Sequence, residues 1–186
     1  MTLRDSVLDT LERWRPADPA QDALREALLA FVLARPDACL RSCVPGHVTA
    51  STLVLDHTGR RALLTLHPRI GRWVQLGGHC EETDADIASA ALREATEESG
   101  IEGLVVMPVP AALHVHGLTC SLGTPTRHLD IQFVARAPAG AEIARSDESL
   151  DLRWWPLDAL PPDADYGLRH LAAAARLLRT AQTSVE

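Results

Sequence analysis

The chain has 186 residues, of which 46% are hydrophobic and 23% are charged, with a formal net charge of −7. This length and composition predict a soluble globular protein with one main domain, and the negative charge makes nucleic acids and anionic membranes unfavourable partners. Neither a signal peptide nor a membrane-spanning stretch of roughly 20 apolar residues is evident, so we expect a cytoplasmic protein with reduced thiols.

Two helices are predicted before residue 44. The apolar residues of the first helix share one face: Leu3, Val7, Leu8, Leu11 and Trp14. The second helix is predicted to begin with Asp18 as the N-cap and Pro19 in its first turn, with Gln21 at the capping-box position, and to end before Pro36. Residues 1–43 are therefore interpreted as an N-terminal helical extension, and residues 44–186 as the main domain.

The main domain contains both strand and helix patterns. Strands are predicted at residues 47–55, 61–67, 73–76, 101–109, 113–118, 129–137 and 150–155, and helices at residues 87–99 and 166–180. A turn makes the first two strands a hairpin, the third strand ends at Gly77 and Gly78, and Gly100 ends the first of these helices. This order of elements predicts an α/β or α+β sandwich rather than a doubly wound fold.

Three carboxylates project from one face of the helix predicted at residues 87–99. Glu94, Glu97 and Glu98 are spaced i, i+3 and i+4, and Arg93 can reach Glu97 one turn later. Like charges at this spacing destabilise a helix, and a divalent cation that prefers oxygen ligands, such as Mg²⁺, would reverse that effect. The alternative interpretation is a solvated acidic helix face, which is the better one for an isolated E-x-x-E-E pattern.

The acidic helix belongs to a longer pattern that resembles the Nudix box. That box has a glycine, five residues, a glutamate, seven residues and then R-E-U-x-E-E-x-G-U, where U is bulky and apolar. Its second half is matched by Arg93, Glu94, Glu97, Glu98, Gly100 and Ile101, with Ala95 at the first bulky position. Counted from Gly78, the first half is one residue too long, so its acid is either Asp84 or Asp86.

The resemblance implies a Nudix-type mixed β-sheet sandwiched between helices. It also implies an enzyme that hydrolyses a phosphoanhydride bond in a small molecule, a nucleoside diphosphate linked to another group. Glu94, Glu97, Glu98 and the carbonyl of Gly78 would hold Mg²⁺, with Mn²⁺ as an alternative, and Arg93 would orient the carboxylates. The general base would be Glu97, Glu98 or a loop acid outside the box.

Other residues receive roles from the same resemblance. Glu148 is the candidate for the loop acid, and its alternative interpretation is an ordinary surface acid. Gly77, Gly78 and His79 would contact the substrate, because glycines allow the backbone to approach a ligand closely. The N-terminal extension could cover the mouth of the substrate site, form a homodimer contact or brace the sheet.

The resemblance leaves the substrate and two other functions open. ADP-ribose, sugar nucleotides, dinucleoside polyphosphates and oxidised nucleoside triphosphates are all candidate substrates. A non-catalytic nucleotide sensor is the first alternative, and only the altered first half of the box favours it. The second is an enzyme similar to isopentenyl-diphosphate isomerase, for which Cys80 is poorly placed.

Several histidines and cysteines lie close to the box and are weighed as zinc ligands. They are His79, Cys80, His114, His116, Cys120 and His128. Because no pair among them has zinc-finger spacing, core or pocket-wall roles are favoured over a zinc site. His47 and His67 are interpreted as strand residues, and Cys39 and Cys43 as helix-packing thiols.

Overall fold

The computed structural model describes residues 1–119 and 123–183, with side chains described as far as residue 178. Its helices are α1 Leu3–Arg13, α2 Pro19–Ala34, α3 Ile87–Ser99 and α4 Tyr166–Thr183. Its strands are β1 His47–Leu55, β2 Arg61–His67, β3 Arg72–Val74, β4 Leu76–His79, β5 Val105–Val106, β6 Ala112–Thr119, β7 Pro125–Arg136 and β8 Asp151–Pro156. Among the helices within these ranges, none combines the length and apolar character needed to cross a membrane. Cys120 lies outside the described residues.

The N-terminal extension contains the two predicted helices. Asp18 caps α2 with Pro19 in its first turn, as predicted. The predicted capping-box role of Gln21 is wrong, because its side chain accepts from the N–H of Leu113 at 2.7 Å and donates to the Leu113 carbonyl at 3.1 Å. Within the described residues β6 pairs only with β7, so Gln21 satisfies backbone groups on the open edge of β6.

The segment after α2 joins the extension to the sheet. The helix ends at Ala34, so the interpretation of Cys39 and Cys43 as helix-packing thiols is wrong: both lie in the turns that follow. Both thiols are nevertheless buried, and Cys39 belongs to the core cluster that α1 and α2 share with the sheet. The extension therefore packs on the sheet, while the domain boundary at residues 43 and 44 stays a prediction.

A mixed sheet of eight strands forms the centre of the described structure. The strand order is β3-β2-β1-β7-β5, with β4 also paired to β1, β6 to β7 and β8 to β2. β1 and β7 are parallel, with His47 opposite His128, and the other pairs are antiparallel. Helices cover both faces of this sheet, which confirms the predicted α+β sandwich.

The two faces of the sheet are covered by different helices. Val48 and Ala50 of β1 share a core cluster with α1, α2 and α3, whereas Leu53 and Leu55 share another with α4. All nine residues of β1 are buried, because both faces of this central strand are covered. The remaining residues on the α4 face of β1 are polar: His47, Thr49 and Ser51.

The strand predicted at residues 101–109 is much shorter in the structure. The strand consists of Val105–Val106, named β5, which pairs with β7. Gly103 has a φ of 73°, which places a turn before the strand. Pro108 and Pro110 follow it, and proline has no N–H to donate to a neighbouring strand.

Candidate active site

Helix α3 holds the three predicted carboxylates because both of its ends are fixed. At the N-terminus, Asp86 accepts from the N–H of Ser89 at 2.7 Å, and Ser6 of α1 accepts from the N–H of Ile87 at 2.9 Å. At the C-terminus, Gly100 adopts a left-handed conformation with a φ of 67°. The helix predicted at residues 87–99 is therefore confirmed, as is its end at Gly100, whereas the cap formed by Asp86 was not predicted.

Arg93 lies at the centre of a cluster of carboxylate side chains. Its Nε and Nη2 donate to the two oxygens of Asp84 at 2.9 and 3.1 Å, and Nη2 also donates to the carbonyl of His79 at 2.9 Å. Its Nη1 donates to Glu94 at 3.0 Å and to Glu97 at 3.1 Å. Hydrogen bonding to Asp84 is the largest effect that raises the pKa of Arg93. One guanidinium thus fixes three carboxylates and the end of β4.

Asp84, and not Asp86, occupies the position beside Arg93. Burial opposes ionisation of Asp84, but hydrogen bonds from Arg93 and from the backbone of Glu81 outweigh it and lower the pKa of Asp84. Asp86 instead caps α3. The loop is one residue longer than the Nudix box, and its two acids have different roles. Asp84 binds the guanidinium of Arg93, whereas Asp86 caps the helix.

The three helix carboxylates lie in different environments. The side chain of Glu97 is 59% exposed and that of Glu94 is 13% exposed. Glu98 is buried and accepts from the N–H of Gly77 at 2.8 Å. Burial raises the pKa of Glu94, and it raises the pKa of Glu98 to about 8. A cation beside Glu94 and Glu98 would favour their charged forms, since it would offset both the burial and their mutual repulsion.

Gly77 and Gly78 lie within β4, so the predicted end of the strand at these glycines is wrong. They pair with Ser51 and Ala50 of β1. Gly77 has a φ of 145°, and a Cβ there would lie 2.4 Å from the Cα of Ser51. A Cβ on Gly78 would lie 2.6 Å from Oε2 of Glu94. The glycines allow β4 to pass tightly between β1 and the carboxylates of α3.

Glu148 approaches the carboxylate group from a different part of the chain. It is exposed in the turn before β8, and its charge is one of the effects that raise the pKa of both Glu94 and Glu98. The neighbouring Ser149 is buried, and its Oγ lies 2.5 Å from Oγ1 of Thr65 in β2. The turn that carries Glu148 is thus anchored to the sheet.

Imidazole rings from four strands lie together on the α4 face of the sheet. The ring centroids of His47, His79 and His128 are 4.9 to 5.1 Å apart, and that of His116 is 5.3 Å from His128. Burial lowers the pKa of His79 to about 4 and that of His128 to about 3. His47 is a strand residue as predicted, but its place in this cluster was missed. Polar residues alternate at the start of an otherwise apolar β1, which indicates a polar face but not which strands lie beside it.

Asp130 of β7 continues the polar face next to the histidines. Its carboxylate accepts from Ser51 at 2.7 Å, Gln132 at 3.0 Å, Thr49 at 3.1 Å and Gln75 at 3.4 Å. A buried carboxylate with four donors is held in one orientation. The sequence analysis did not identify Asp130, because its donors come from β1, the segment before β4, and β7 itself.

Cys80 belongs neither to the carboxylates around Arg93 nor to the histidine cluster. The Cys80 thiol is buried in the core cluster with α1 and α2, and burial raises its pKa. A thiol of this kind is a poor nucleophile, so the isomerase-like alternative loses its candidate residue.

A cleft of about 750 Å³ lies beyond the other end of β1, where Asp56, Arg61 and Arg176 line it. It contains none of the carboxylates or histidines described above.

Comparison with known proteins supports the pattern found in the sequence. A family model described as the NUDIX domain matches residues 45–175. A search of curated proteins finds no match. Among solved structures, a C. elegans Ap4A hydrolase binary complex is similar with a TM-score of 0.55 and 20% identity, covering 74% of this chain and 98% of that one.

Two further structures widen the comparison. The E. coli dihydroneopterin triphosphate pyrophosphohydrolase has a TM-score of 0.53 at 21% identity, covering 67% of this chain and 91% of that one. A UDP-X diphosphatase has a TM-score of 0.53 at 14% identity, covering 96% of this chain and 97% of that one. At such identities the likeness shows the fold alone, and the last alignment includes most of the N-terminal extension.

Proposed function

This chain belongs to the Nudix family of pyrophosphohydrolases, and we propose that it uses Mg²⁺ to cleave a phosphoanhydride bond in a nucleoside diphosphate linked to another group. The single observation that carries the proposal is the contact of Arg93 with Asp84, Glu94 and Glu97, all within 3.1 Å. Mn²⁺ is the alternative cation, and the group linked to the nucleoside diphosphate stays open.

The donor set fits a hard divalent cation. Glu94, Glu97 and Glu98 offer only oxygen atoms, and two of the three are largely withdrawn from solvent. The carbonyl of Gly78 would complete the protein ligands, because this residue lies against Glu94. When bound, the cation would neutralise the diphosphate and lower the pKa of a water molecule.

The surrounding residues would orient these ligands and handle the proton. Arg93 holds Glu94 and Glu97, and the N–H of Gly77 holds Glu98, so the carboxylates are oriented before a substrate arrives. We propose Glu148 as the group that accepts a proton from the attacking water, with Glu97 and Glu98 as alternatives. Glu148 is exposed to solvent, and its negative charge acts on Glu94, which supports that role. Gly77, Gly78 and His79 would contact the substrate.

The one argument for a non-catalytic nucleotide sensor is weakened. That argument was the altered first half of the box, and Asp84 supplies an acid beside Arg93 in spite of it. We also propose that the enzyme acts in the cytoplasm, a compartment consistent with the free thiols of Cys39, Cys43 and Cys80.

The proposal is tested by measuring hydrolysis of a panel of nucleoside-diphosphate compounds with and without Mg²⁺. The panel should contain ADP-ribose, sugar nucleotides, dinucleoside polyphosphates and nucleoside triphosphates, with the products identified by mass spectrometry. We expect at least one compound to be cleaved at a phosphoanhydride bond, and only when the divalent cation is present. Tight binding of a compound without turnover would favour the sensor, and turnover in the presence of a chelator would exclude the metal-dependent mechanism.

A further inference from the structure

Three histidines converge on the α4 face of the sheet although they are distant in sequence. His47 begins β1, His79 ends β4 and His128 lies in β7. The strand register brings them together, because His47 pairs with His128 and Thr49 pairs with His79. Each ring has one nitrogen within 4.8 Å of a nitrogen on each of the other two. Such convergence of three imidazoles is the donor arrangement of a transition-metal site.

The ring nitrogens of this cluster are not all satisfied. His47 is 1% exposed, and its Nδ1 lies 3.4 Å from the carbonyl of Cys43, which makes this nitrogen the one that donates. Nε2 of His47 and Nε2 of His128 are both buried, and neither has a hydrogen-bond partner among the described residues. A buried ring nitrogen without a partner is energetically unfavourable. A metal ion, which accepts an electron pair, would give such a nitrogen a partner.

We propose that His47, His79 and His128 bind a zinc ion on the face of the sheet opposite the α3 carboxylates. Imidazole nitrogens favour zinc and related transition metals, whereas the carboxylates of α3 suit Mg²⁺. Tetrahedral coordination with bonds of about 2.1 Å places ligand atoms about 3.4 Å apart. The nitrogens lie within 4.8 Å of one another, so they need to approach by at most about 1.4 Å. Three protein ligands leave one position for water or for a donor atom of a substrate.

Two features of the surroundings favour metal binding, against the positive charge of Arg41, which also lowers the pKa of all three rings. Burial lowers the pKa of His47 and of His128, which favours the neutral form of each ring, and a neutral imidazole keeps an electron pair for the ion. The carbonyl of Cys43 orients the His47 ring in the way that outer hydrogen bonds orient metal-ligating histidines. The carbonyl of His79 accepts from Arg93, so a bound zinc ion would also fix the end of β4 beside the carboxylate group.

The test uses the full chain after removal of metals with a chelator. Zinc titration by calorimetry should show one equivalent bound, and the melting temperature should rise with zinc. Co²⁺, used as a spectroscopic probe, should give the visible absorption of a four-coordinate ion. His128→Gln should weaken zinc binding by about 100-fold or more, since a ligand is lost. His57→Gln, an exposed turn histidine outside the cluster, is the matched control and should bind zinc as the unaltered chain does.

A second variant separates this site from the proposed Mg²⁺ site. Glu97→Gln should leave zinc affinity unchanged, and excess Mg²⁺ should not displace zinc. Zinc binding that is lost in Glu97→Gln but kept in His128→Gln would overturn the proposal, as would the absence of four-coordinate Co²⁺ absorption in the unaltered chain. The absorption measurement needs no variant, so it decides the matter even if His128→Gln does not fold. None of these readouts depends on hydrolytic activity.

Discussion

Strand β4 separates two chemically different regions of this molecule. On the α3 side, Gly78 lies against Glu94, and the polar groups are carboxylates held by the positive charge of Arg93. On the α4 side, the adjacent His79 lies among imidazole rings whose pKa values are lowered by burial. Because neighbouring residues of a strand point to opposite faces, one short strand can serve a site of charged oxygen donors and a site of neutral nitrogen donors.

The largest effect should come from a change confined to the carboxylate region. Glu97→Gln should lower kcat by about 10³-fold or more, because it removes the charge of a proposed Mg²⁺ ligand. The side chain is 59% exposed, so the melting temperature should not change. Steady-state kinetics on the compound identified in the panel and calorimetric unfolding measure the two quantities.

The matched control for this change is Glu102→Gln. Glu102 is also an exposed glutamate, but it lies just beyond the end of α3. Its substitution should leave kcat unchanged. A loss of less than about tenfold in Glu97→Gln, with Mg²⁺ binding unaltered, would show that the ligand assignment is incorrect.

The next effect should come from closing the space between β4 and α3. Gly78→Ala would place a Cβ 2.6 Å from Oε2 of Glu94, so the carboxylate must move. We expect kcat to fall by about 100-fold, since small displacements of catalytic groups are costly. Gly117→Ala in β6 is the control, because its Cβ would lie 3.9 Å from its nearest neighbour, the carbonyl oxygen of Thr126. Equal kcat values for the two variants would mean that the contact with Glu94 does not matter for turnover.

A smaller effect should distinguish the two acids of the long loop. Asp84→Asn should lower kcat by about tenfold, because a neutral amide accepts less strongly from Arg93 and the carboxylates lose part of their orientation. Asp86→Asn is the matched control, since asparagine caps a helix about as well as aspartate. If kinetics showed the larger loss in Asp86→Asn, the assignment of Asp84 to the Arg93 group would be wrong.

The carboxylate region could be predicted because its signals are local. The cap at Asp86, the apolar spacing along α3 and the left-handed Gly100 all depend on residues close in sequence, and the helix bounds were correct. The carboxylates share a face for the same reason. The choice between Asp84 and Asp86 was not local, because it depends on how the loop folds back onto Arg93.

The histidine region could not be predicted because it depends on strand register. His47 and His128 meet only through the parallel pairing of β1 with β7, and a shift by one residue would move either ring to the other face. Nothing in the sequence near His47 specifies that register. The same limitation affected Gly77 and Gly78, whose pairing with β1 extends β4 through both glycines.

The smallest effect should come from Gln21, where a local signal was misleading. Its position suggested a cap for α2, but its side chain bonds both backbone groups of Leu113. Gln21→Ala should lower the free energy of unfolding by about 1–3 kcal/mol, because it leaves the N–H and carbonyl of Leu113 without this partner. Denaturant unfolding with an unchanged m-value measures the loss, and kcat should not change. Ala30→Gln, at an exposed position of α2, is the control.

Amide hydrogen exchange separates the two interpretations of Gln21. If the side chain secures the edge of β6, exchange at Leu113 should become faster in Gln21→Ala while the amides of α2 keep their protection. If it capped α2, the first turn of that helix should lose protection instead. The edge interpretation also ties the extension to β6, the strand next to β7. His128 meets His47 through the pairing of β7 with β1, in which Gln21 takes no part, so zinc binding should remain intact in this variant.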